Sequence, residues 1–563
     1  MANNTKLELT WIGKYDRKMP VEPRILIENP KYSYGVPETG VLPNGRPWKG
    51  NMLIHGDNLL ALKALEQNFS NAVKCIYIDP PYNTGNAFEH YDDGLEHSIW
   101  LDLMYQRVTI LHSLLSEDGA FCLHLDDGEV HYAKVICDEI FGRNNFIATV
   151  AIRSSTPSGV KTAHKNKKLI KQKDLMLVYK KSDALTINPQ YVRKQAFDTH
   201  FNYFVDKDKE IVKPFLDVLI ENGILAVGSK LSDFNINNPK HRQFYLKNAA
   251  SICQTQSFKN EEIKQASRKL ADKVMFVNKG LPEEMMFYNG RQLTPLSNSI
   301  NKVLYHGSFV EDISILLCDF WDDVDFQNTQ HEGGIDFPNS KKPEMLVTRI
   351  LSLFTNKPED VVLDSFLGSG TTAAVAHKMH RRYIGVELGN HAYTHCYERL
   401  KKVVDGSDQG GVSKALNWHG GGGFKFYELA PSLLKEDAYG RLVINQEYNA
   451  DMLAAAMAKQ EGFVYEPSVD VYWKQGHSSE SDYIYTTTQF VTVEVLSGIA
   501  DQMAEGESLL VCCTAFQKEC RGMFSNITVK KIPQMLLGKC EFNHDDYSLN
   551  IVALPDNVDE EVL

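Results

Sequence analysis

Apolar residues recur along this chain with two periods. From Asn58 to Phe69 they fall at Leu59, Leu62, Leu65 and Phe69, the spacing of one helix face. Met52–His55 before this segment and the β-branched run Val73–Ile78 after it predict short strands, the second ending at Asp79. A helix over Ile99–Leu115, the turn Glu117-Asp118-Gly119 and a strand over Ala120–Leu125 extend the series. Strands alternating with helices predict a parallel sheet covered on both faces. The pattern dissolves over 151–310, which is polar, basic and irregular, with the tract HKNKKLIKQK at 164–173. It resumes with a helix over Met345–Phe354, a strand over Val361–Leu363, a helix over Thr371–Met379 and a strand over Arg382–Glu387. The run Gly420–Gly423 marks a break, and beyond about Asp437 a smaller α/β unit is expected, with strands over Gln489–Val495 and Ser508–Thr514.

Five segments follow: an irregular Pro/Gly-rich arm (1–50), one half of an α/β domain (51–150), a basic insertion (151–310), the other half (311–430) and a C-terminal α/β domain (431–563). At roughly 100–200 residues per domain, 563 residues allow about three to four domains. With 43% hydrophobic and 23% charged residues, the composition is globular. No apolar run approaches a membrane span, and MANNTKLELTW lacks the apolar core of a signal peptide, so a soluble, cytoplasmic chain without membrane partners is expected. The ten cysteines form no CxxC pair, so no metal is expected. Cys512-Cys513, inside SLLVCCTAF, read as buried strand thiols.

Charge sharpens the picture. The net charge is −12, but residues 151–310 hold 26 Lys+Arg against 14 Asp+Glu, a balance of +12, which leaves −24 for the rest. A basic segment in an acidic chain suits a localised polyanion-binding face.

Two motifs carry chemistry. Asp79-Pro80-Pro81-Tyr82 follows a buried strand, where α/β sheets place ligands. Two prolines remove two backbone donors and stiffen the turn. The Asp79 carboxylate and the Pro80 carbonyl then suit a planar exocyclic amine such as adenine N6, and Tyr82 offers a face for stacking. The second motif, DSFLGSGTT at 364–372, joins a strand to a helix. Gly368 and Gly370 permit a tight turn, and the helix start suits a carboxylate. Glu387 ends the next strand, about 20 residues on, where an acid typically meets ribose hydroxyls. The loop lacks GxGxxG and a Walker lysine, which disfavours NAD and ATP and leaves room for a smaller adenosyl ligand.

In this order, DPPY, basic region and FLGSG, the chain resembles the β-class adenine-N6 DNA methyltransferases. It is most similar to the modification subunit of type III restriction–modification systems. The resemblance spans roughly 6–430 and rests also on ELTWIGK (8–14), EPRILIENP (22–30), NMLIHGDNLLALKAL (51–65), IYIDPPYNTGNAFEHYDDGLEHSIWLDLMY (76–105) and GGGFKFYEL (421–429). Ser365 and Leu367 depart from many relatives without disturbing FxGxG. The resemblance implies a Rossmann-like, S-adenosylmethionine-dependent α/β methyltransferase fold with circularly permuted motif order and an inserted target-recognition domain. It implies Asp79, Pro80, Pro81 and Tyr82 at the target base. It implies Asp57, Lys342, Pro343, Glu344, Asp364, Phe366, Gly368, Gly370, Thr371 and Glu387 around S-adenosyl-L-methionine. Lys165, Lys167, Lys168 and Lys171 are expected on DNA phosphates. The implied activity is site-specific methylation of adenine N6 in double-stranded DNA, with a homodimeric chain and a helicase–nuclease restriction subunit as partners. Methylation of cytosine N4 or of RNA, and a non-catalytic DNA-specificity subunit, are the alternatives.

Overall fold

The computed structural model describes residues 8–11, 13–15, 19–81, 93–156, 166, 169–282, 284–305, 307–326, 329, 332–337 and 341–547. The chain divides into two compact units, Met1–Asn188 with Asp319–Leu563, and Pro189–Cys318.

The first unit is built on an eleven-stranded sheet. Its strands in chain order are β1 (Leu26–Glu28), β2 (Asn51–His55), β3 (Val73–Ile78), β4 (Leu115–Leu125), β5 (Phe146–Arg153), β6 (Lys173–Lys180), β7 (Phe320–Trp321), β8 (Val361–Asp364), β9 (Arg382–Glu387) and β10 (Gly423–Leu429). The spatial order is β1-β10-β2-β9-β8-β3-β4-β6-β5-β7, with Tyr34–Gly35 also pairing with β10. From β10 to β4 every pair is parallel. β6 turns antiparallel against β4 and β5. Strands β3 and β8, buried almost throughout, are the near-continuous apolar runs of a sheet covered on both faces.

Helices α1 (Asn58–Phe69), α2 (Asp93–Leu114) and α3 (Val130–Phe141) pack successively on one another. Leu62, Leu65, Val108, Leu111 and Ile136 share one core with Ile76, Ile78, Leu123 and Leu363 of the sheet. A second group comprises α4 (Glu344–Phe354), α5 (Thr371–Lys378) and α6 (Glu398–Val404). Tyr383 of β9 packs on His377 of α5, with ring centroids 5.7 Å apart. Asp57 starts α1 by accepting from the Leu59 and Leu60 N–H groups at 2.8 and 3.1 Å, satisfying donors that a helix start leaves open. This is a Rossmann-like α/β fold, its two motif-bearing halves joined in one sheet.

Beyond β10, α7 (Ala450–Gln460) packs on β11 (Asp482–Val491), the centre of a small sheet continued in parallel by β12 (Ser508–Phe516) and β13 (Ile527–Lys531). Cys512 and Cys513 are buried in β12. Among the described residues, no helix is long and apolar enough to cross a membrane.

Several sequence boundaries move. The expected strand Gln489–Val495 is β11 up to Val491, followed by α8 (Val493–Ala500). Thr492 caps that helix through the Val495 N–H at 3.3 Å, and Leu496 and Ile499 bury its apolar face. The arm at 1–50 is not wholly irregular, because β1 and Tyr34–Gly35 extend the sheet along β10. The basic region is not a single body. Its first residues end β5, and Lys173–Lys180 form the buried strand β6, so both belong to the central sheet. The separate unit starts at Pro189 and runs past 310 to Cys318. It contains a six-stranded antiparallel sheet, a three-stranded one, and a core around Phe215, Phe234, Tyr245 and Ile252.

Candidate active site

Four neighbouring parallel strands, β2, β9, β8 and β3, end at the same edge of the sheet. Each carries an acid at or just beyond its carboxyl end: Asp57, Glu387, Asp364 and Asp79 respectively. At a strand spacing of about 4.8 Å, the row extends over roughly 14 Å. Register ties the last two strands, since Val362 and Leu363 of β8 face Cys75 and Ile76 of β3. The two motifs, far apart in sequence, therefore meet where strands contributed by the two halves lie side by side, the crevice where open α/β sheets bind ligands.

Asp79 is paired through Oδ2 with the Lys342 ammonium at 2.9 Å. The turn behind it is held by Trp100 of α2, whose indole N–H donates to the Pro81 carbonyl at 3.1 Å. Trp100 is buried, and its one polar atom finds this partner. His124 of β4 is wholly buried nearby, with Nδ1 3.0 Å from the Tyr77 hydroxyl and Nε2 3.6 Å from Asp174. Burial, and then the Lys342 charge, lower its pKa and favour the neutral ring. Tyr82 lies outside the described residues.

The second motif forms a tight cradle. Asp364 accepts from the Phe366 N–H at 2.9 Å and from the Thr372 hydroxyl at 2.6 Å. Burial raises its pKa to about 7, with the charges of Asp79 and Glu387 adding to the shift. Glu387 accepts from the Gly368 N–H at 2.7 Å and the Gly389 N–H at 3.0 Å, which clamps the loop against β9. Gly368 has φ +55°, which glycine adopts without strain, and a Cβ there would meet no protein atom within 4 Å. That open side is the place a ligand can approach. Gly370 has φ +79° and packs against Cys396. Phe366 lies half-buried against the core.

Other expected residues are turned elsewhere. Glu344 is fully buried and bonds Lys378 at 2.9 Å and Arg399 at 2.8 Å, while its N–H donates to Glu332 at 2.9 Å. The Thr371 hydroxyl receives the Arg399 guanidinium at 2.7 Å. Their side chains lie in a charged cluster tying α4, α5 and α6, where they lock the helices behind the loop. Lys342 reaches the sheet edge from the segment ahead of α4, and Pro343 starts that helix. Asp57 is buried with both oxygens engaged. Lys165, Lys167 and Lys168 lie outside the described residues, and Lys171 pairs with Asp174 at 2.9 Å and Asp126 at 3.5 Å.

Sequence reasoning missed the Lys342–Asp79 ion pair and the Trp100 brace. It also missed Asn58, whose side-chain N–H donates to the Ser365 carbonyl at 2.8 Å and links α1 to the glycine loop. Asn58 follows Asp57 directly, and that position was the only local hint.

The chain is similar to several known proteins. A Haemophilus influenzae protein named as the HindVI Mod subunit of a type III restriction-modification enzyme is 36% identical over 421 residues, covering 68% of this chain and 54% of that one. The StyLTI Mod subunit of Salmonella typhimurium is 26% identical over 359 residues, covering 57% and 49%. The chain thus spans about half the length of these two relatives. Among solved structures, a DNA modification methylase of Thermus thermophilus complexed with S-adenosyl-L-methionine aligns at TM-score 0.31 and 14% identity over 67% of this chain and 97% of that one. The cytosine-N4-specific PvuII DNA methyltransferase aligns at TM-score 0.31 and 14% identity over 68% and 99%. The DNA methylase family model matches residues 73–398, more than half of the chain, and the chain belongs to that family.

Proposed function

We propose that the chain transfers a methyl group from S-adenosyl-L-methionine to N6 of adenine at a specific site in double-stranded DNA. The carrying observation is the row of four carboxyl-edge acids, with the DPPY turn and the glycine loop on adjacent strands. The cradle fits the cofactor: Gly368 leaves an open side, Glu387 suits ribose hydroxyls, and Asp364 suits the positive end. Phe366, Gly370 and the backbone around Lys342, Pro343 and Glu344 border that cradle in this reading. Bound there, the cofactor supplies an electrophilic methyl group. The target adenine leaves the stack. Asp79 and the Pro80 carbonyl accept from its amino group, Pro81 stiffens the turn, and Tyr82 stacks on the base. With the cofactor bound, the N6 lone pair held at Asp79 and Pro80 would take the methyl carbon, the electron pair of the broken C–S bond would stay on sulfur, and an N6 proton would leave to solvent. Lys342 holds the Asp79 carboxylate in place. Rate gain comes from positioning, because nitrogen needs no general base to attack.

The relatives' names support a modification-subunit role in a type III system. A homodimer, a helicase–nuclease restriction subunit as partner and a cytoplasmic location complete this reading. The test is transfer of tritium from labelled S-adenosylmethionine to duplex DNA, followed by nucleoside analysis. N6-methyladenine is expected. Label in N4-methylcytosine, or in RNA alone, replaces this reading with the corresponding alternative, and no label with intact cofactor binding favours a specificity subunit.

A further inference from the structure

The C-terminal segment returns to the active-site edge. The Glu541 N–H donates to the Pro20 carbonyl at 2.9 Å. Arg24 donates to the His544 carbonyl at 2.7 Å and pairs with Asp545 at 2.6 Å. The segment then reaches Asp57. The Tyr547 N–H donates to Asp57 Oδ2 at 3.0 Å, and the Tyr547 carbonyl accepts from Arg107 Nη2 at 3.1 Å. Arg107 also reaches Asp57 Oδ2 at 3.4 Å and bonds the side chain of Asn58, the residue that grips the glycine loop at Ser365. Beside this junction lies a cavity of about 400 Å³ bordered by Leu59, Leu103, Arg107, Glu541 and Tyr547.

A carboxylate offers about four lone-pair positions. Asp57 fills them with the Leu59, Leu60 and Tyr547 N–H groups and the Arg107 guanidinium. The Leu59 and Leu60 bonds hold the start of α1 and are fixed by the fold. The Tyr547 bond comes from outside the helix, and the helix cap on the other carboxylate oxygen does not depend on it. What it occupies is a two-point reader: an acceptor on Asp57 beside a donor on Arg107. One extended residue presents a matching N–H and C=O side by side. The 6-amino and N1 positions of adenine present the same donor–acceptor edge.

We infer that Asp57 and Arg107 together read the donor–acceptor edge of the cofactor's adenine, and that residues 541–547 form a strap competing for that reader. The inference rests on the proposal that this edge of the sheet binds an adenosyl cofactor, and it adds Arg107 as a specificity residue and the strap as its regulator. Adenine displaces one backbone amide and takes over both of its bonds. Anything that draws the C-terminal domain away opens the reader.

The experiment uses the full chain, the full chain with Tyr547→Pro, which lacks the N–H donated to Asp57, and a chain ended at Asn543. Calorimetric titrations with S-adenosylhomocysteine, adenosine and purine riboside give the affinities. Loss of the strap tightens adenosine and S-adenosylhomocysteine by about tenfold or more, the worth of a hydrogen bond to a charged group. In the chains without the strap, purine riboside, which lacks the 6-amino donor, binds about tenfold or more weakly than adenosine. Equal or weaker adenosine binding in both variants overturns the strap while leaving the cofactor site standing. Equal affinity for adenosine and purine riboside in the chains without the strap overturns the two-point reader. Absence of S-adenosylhomocysteine binding in all three chains overturns the cofactor reading itself and the strap with it.

Discussion

Asp79 and Asp364 sit on adjacent strand ends and face different tasks. Asp79 is held by Lys342 at the turn that would meet the base. Asp79→Ala is expected to lower methyl transfer by about 10²-fold or more, the scale of one preorganised hydrogen-bonding group acting in the transition state. S-adenosylhomocysteine binding should be nearly unchanged, and a variant that still transfers at the native rate would remove Asp79 from the base site. Glu387→Ala should weaken cofactor binding by about 1.5–3 kcal/mol, the range for hydrogen bonds to a charged group, measured by the same titration. Asp364 is buried, with its pKa pushed up to about 7. Its native pKa exceeds its unfolded value near 3.8, so the folded state holds the proton more tightly. Stability from this group is therefore fully present at low pH and declines as pH rises from about 4 to about 7. A cationic ligand at this carboxyl favours the anion. S-adenosylmethionine affinity should accordingly rise as pH passes through about 7, with proton release on binding. Calorimetry in buffers of different ionisation enthalpy measures that release, and the same slope in Asp364→Asn would assign it to another group.

At the level of elements, the charged cluster behind the glycine loop joins three helices. Glu344 of α4 meets Lys378 of α5 and Arg399 of α6, all fully buried, and Lys378 also meets Asp408 at 2.7 Å. Removing one partner of a buried ion pair strands the other charge, at a cost of about 3–5 kcal/mol. Glu344→Ala should therefore lose stability on that scale in chemical denaturation, whereas a surface change such as Lys435→Ala should lose almost none. A loss below about 1 kcal/mol would show that the cluster relaxes without Glu344. The same elements show what local pattern can reveal. Helix α1, strands β3, β8 and β9, and the acids ending those strands were legible because period, turn and cap lie within a few residues. Strand β6 was hidden because Lys171 and Lys173 on one side, and Lys180 and Lys181 on the other, made its five-residue apolar run, LMLVY, read as part of a basic loop. The pairing of β1 with β10 leaves no local trace, since Leu26 meets Leu429. Lys342 on Asp79 and Arg107 on Asp57 were illegible for the same reason: long-range packing sets such pairings, and periodicity records only the face an element buries.

For the whole molecule, the division into two units suits two ways of engaging DNA under the proposed function. The positive balance expected for one insertion is unevenly shared. Residues 151–188 hold nine Lys+Arg against two Asp+Glu, whereas 189–318 hold 17 against 14. The first stretch belongs to the unit of the central sheet, and the connection from β5 to β6 leaves the edge where β4 ends, because Leu125 pairs with Leu175. That edge carries the DPPY turn. Lysines of this connection are therefore expected to grip phosphates beside the target base, and such ion pairs carry no sequence information. Lys171, held by Asp174 and Asp126, must exchange those partners to join them. Neutralising Lys165, Lys167, Lys168 and Lys171 should weaken binding to all duplexes alike. It should also reduce the slope of log K against log salt by about 0.9 for each phosphate no longer neutralised. The unit Pro189–Cys318 has little net charge and its own core, which suits base-edge reading on a scaffold that can vary without disturbing the sheet. Exchanging 189–318 for the matching unit of a related enzyme should move the methylated sequence while leaving the salt slope nearly unchanged. Mapping N6-methyladenine in DNA from cells expressing the chimera reads the first effect, and a salt titration of binding reads the second. An active chimera that still marks the original sequence would place recognition in the first unit, among the residues that also hold the phosphates.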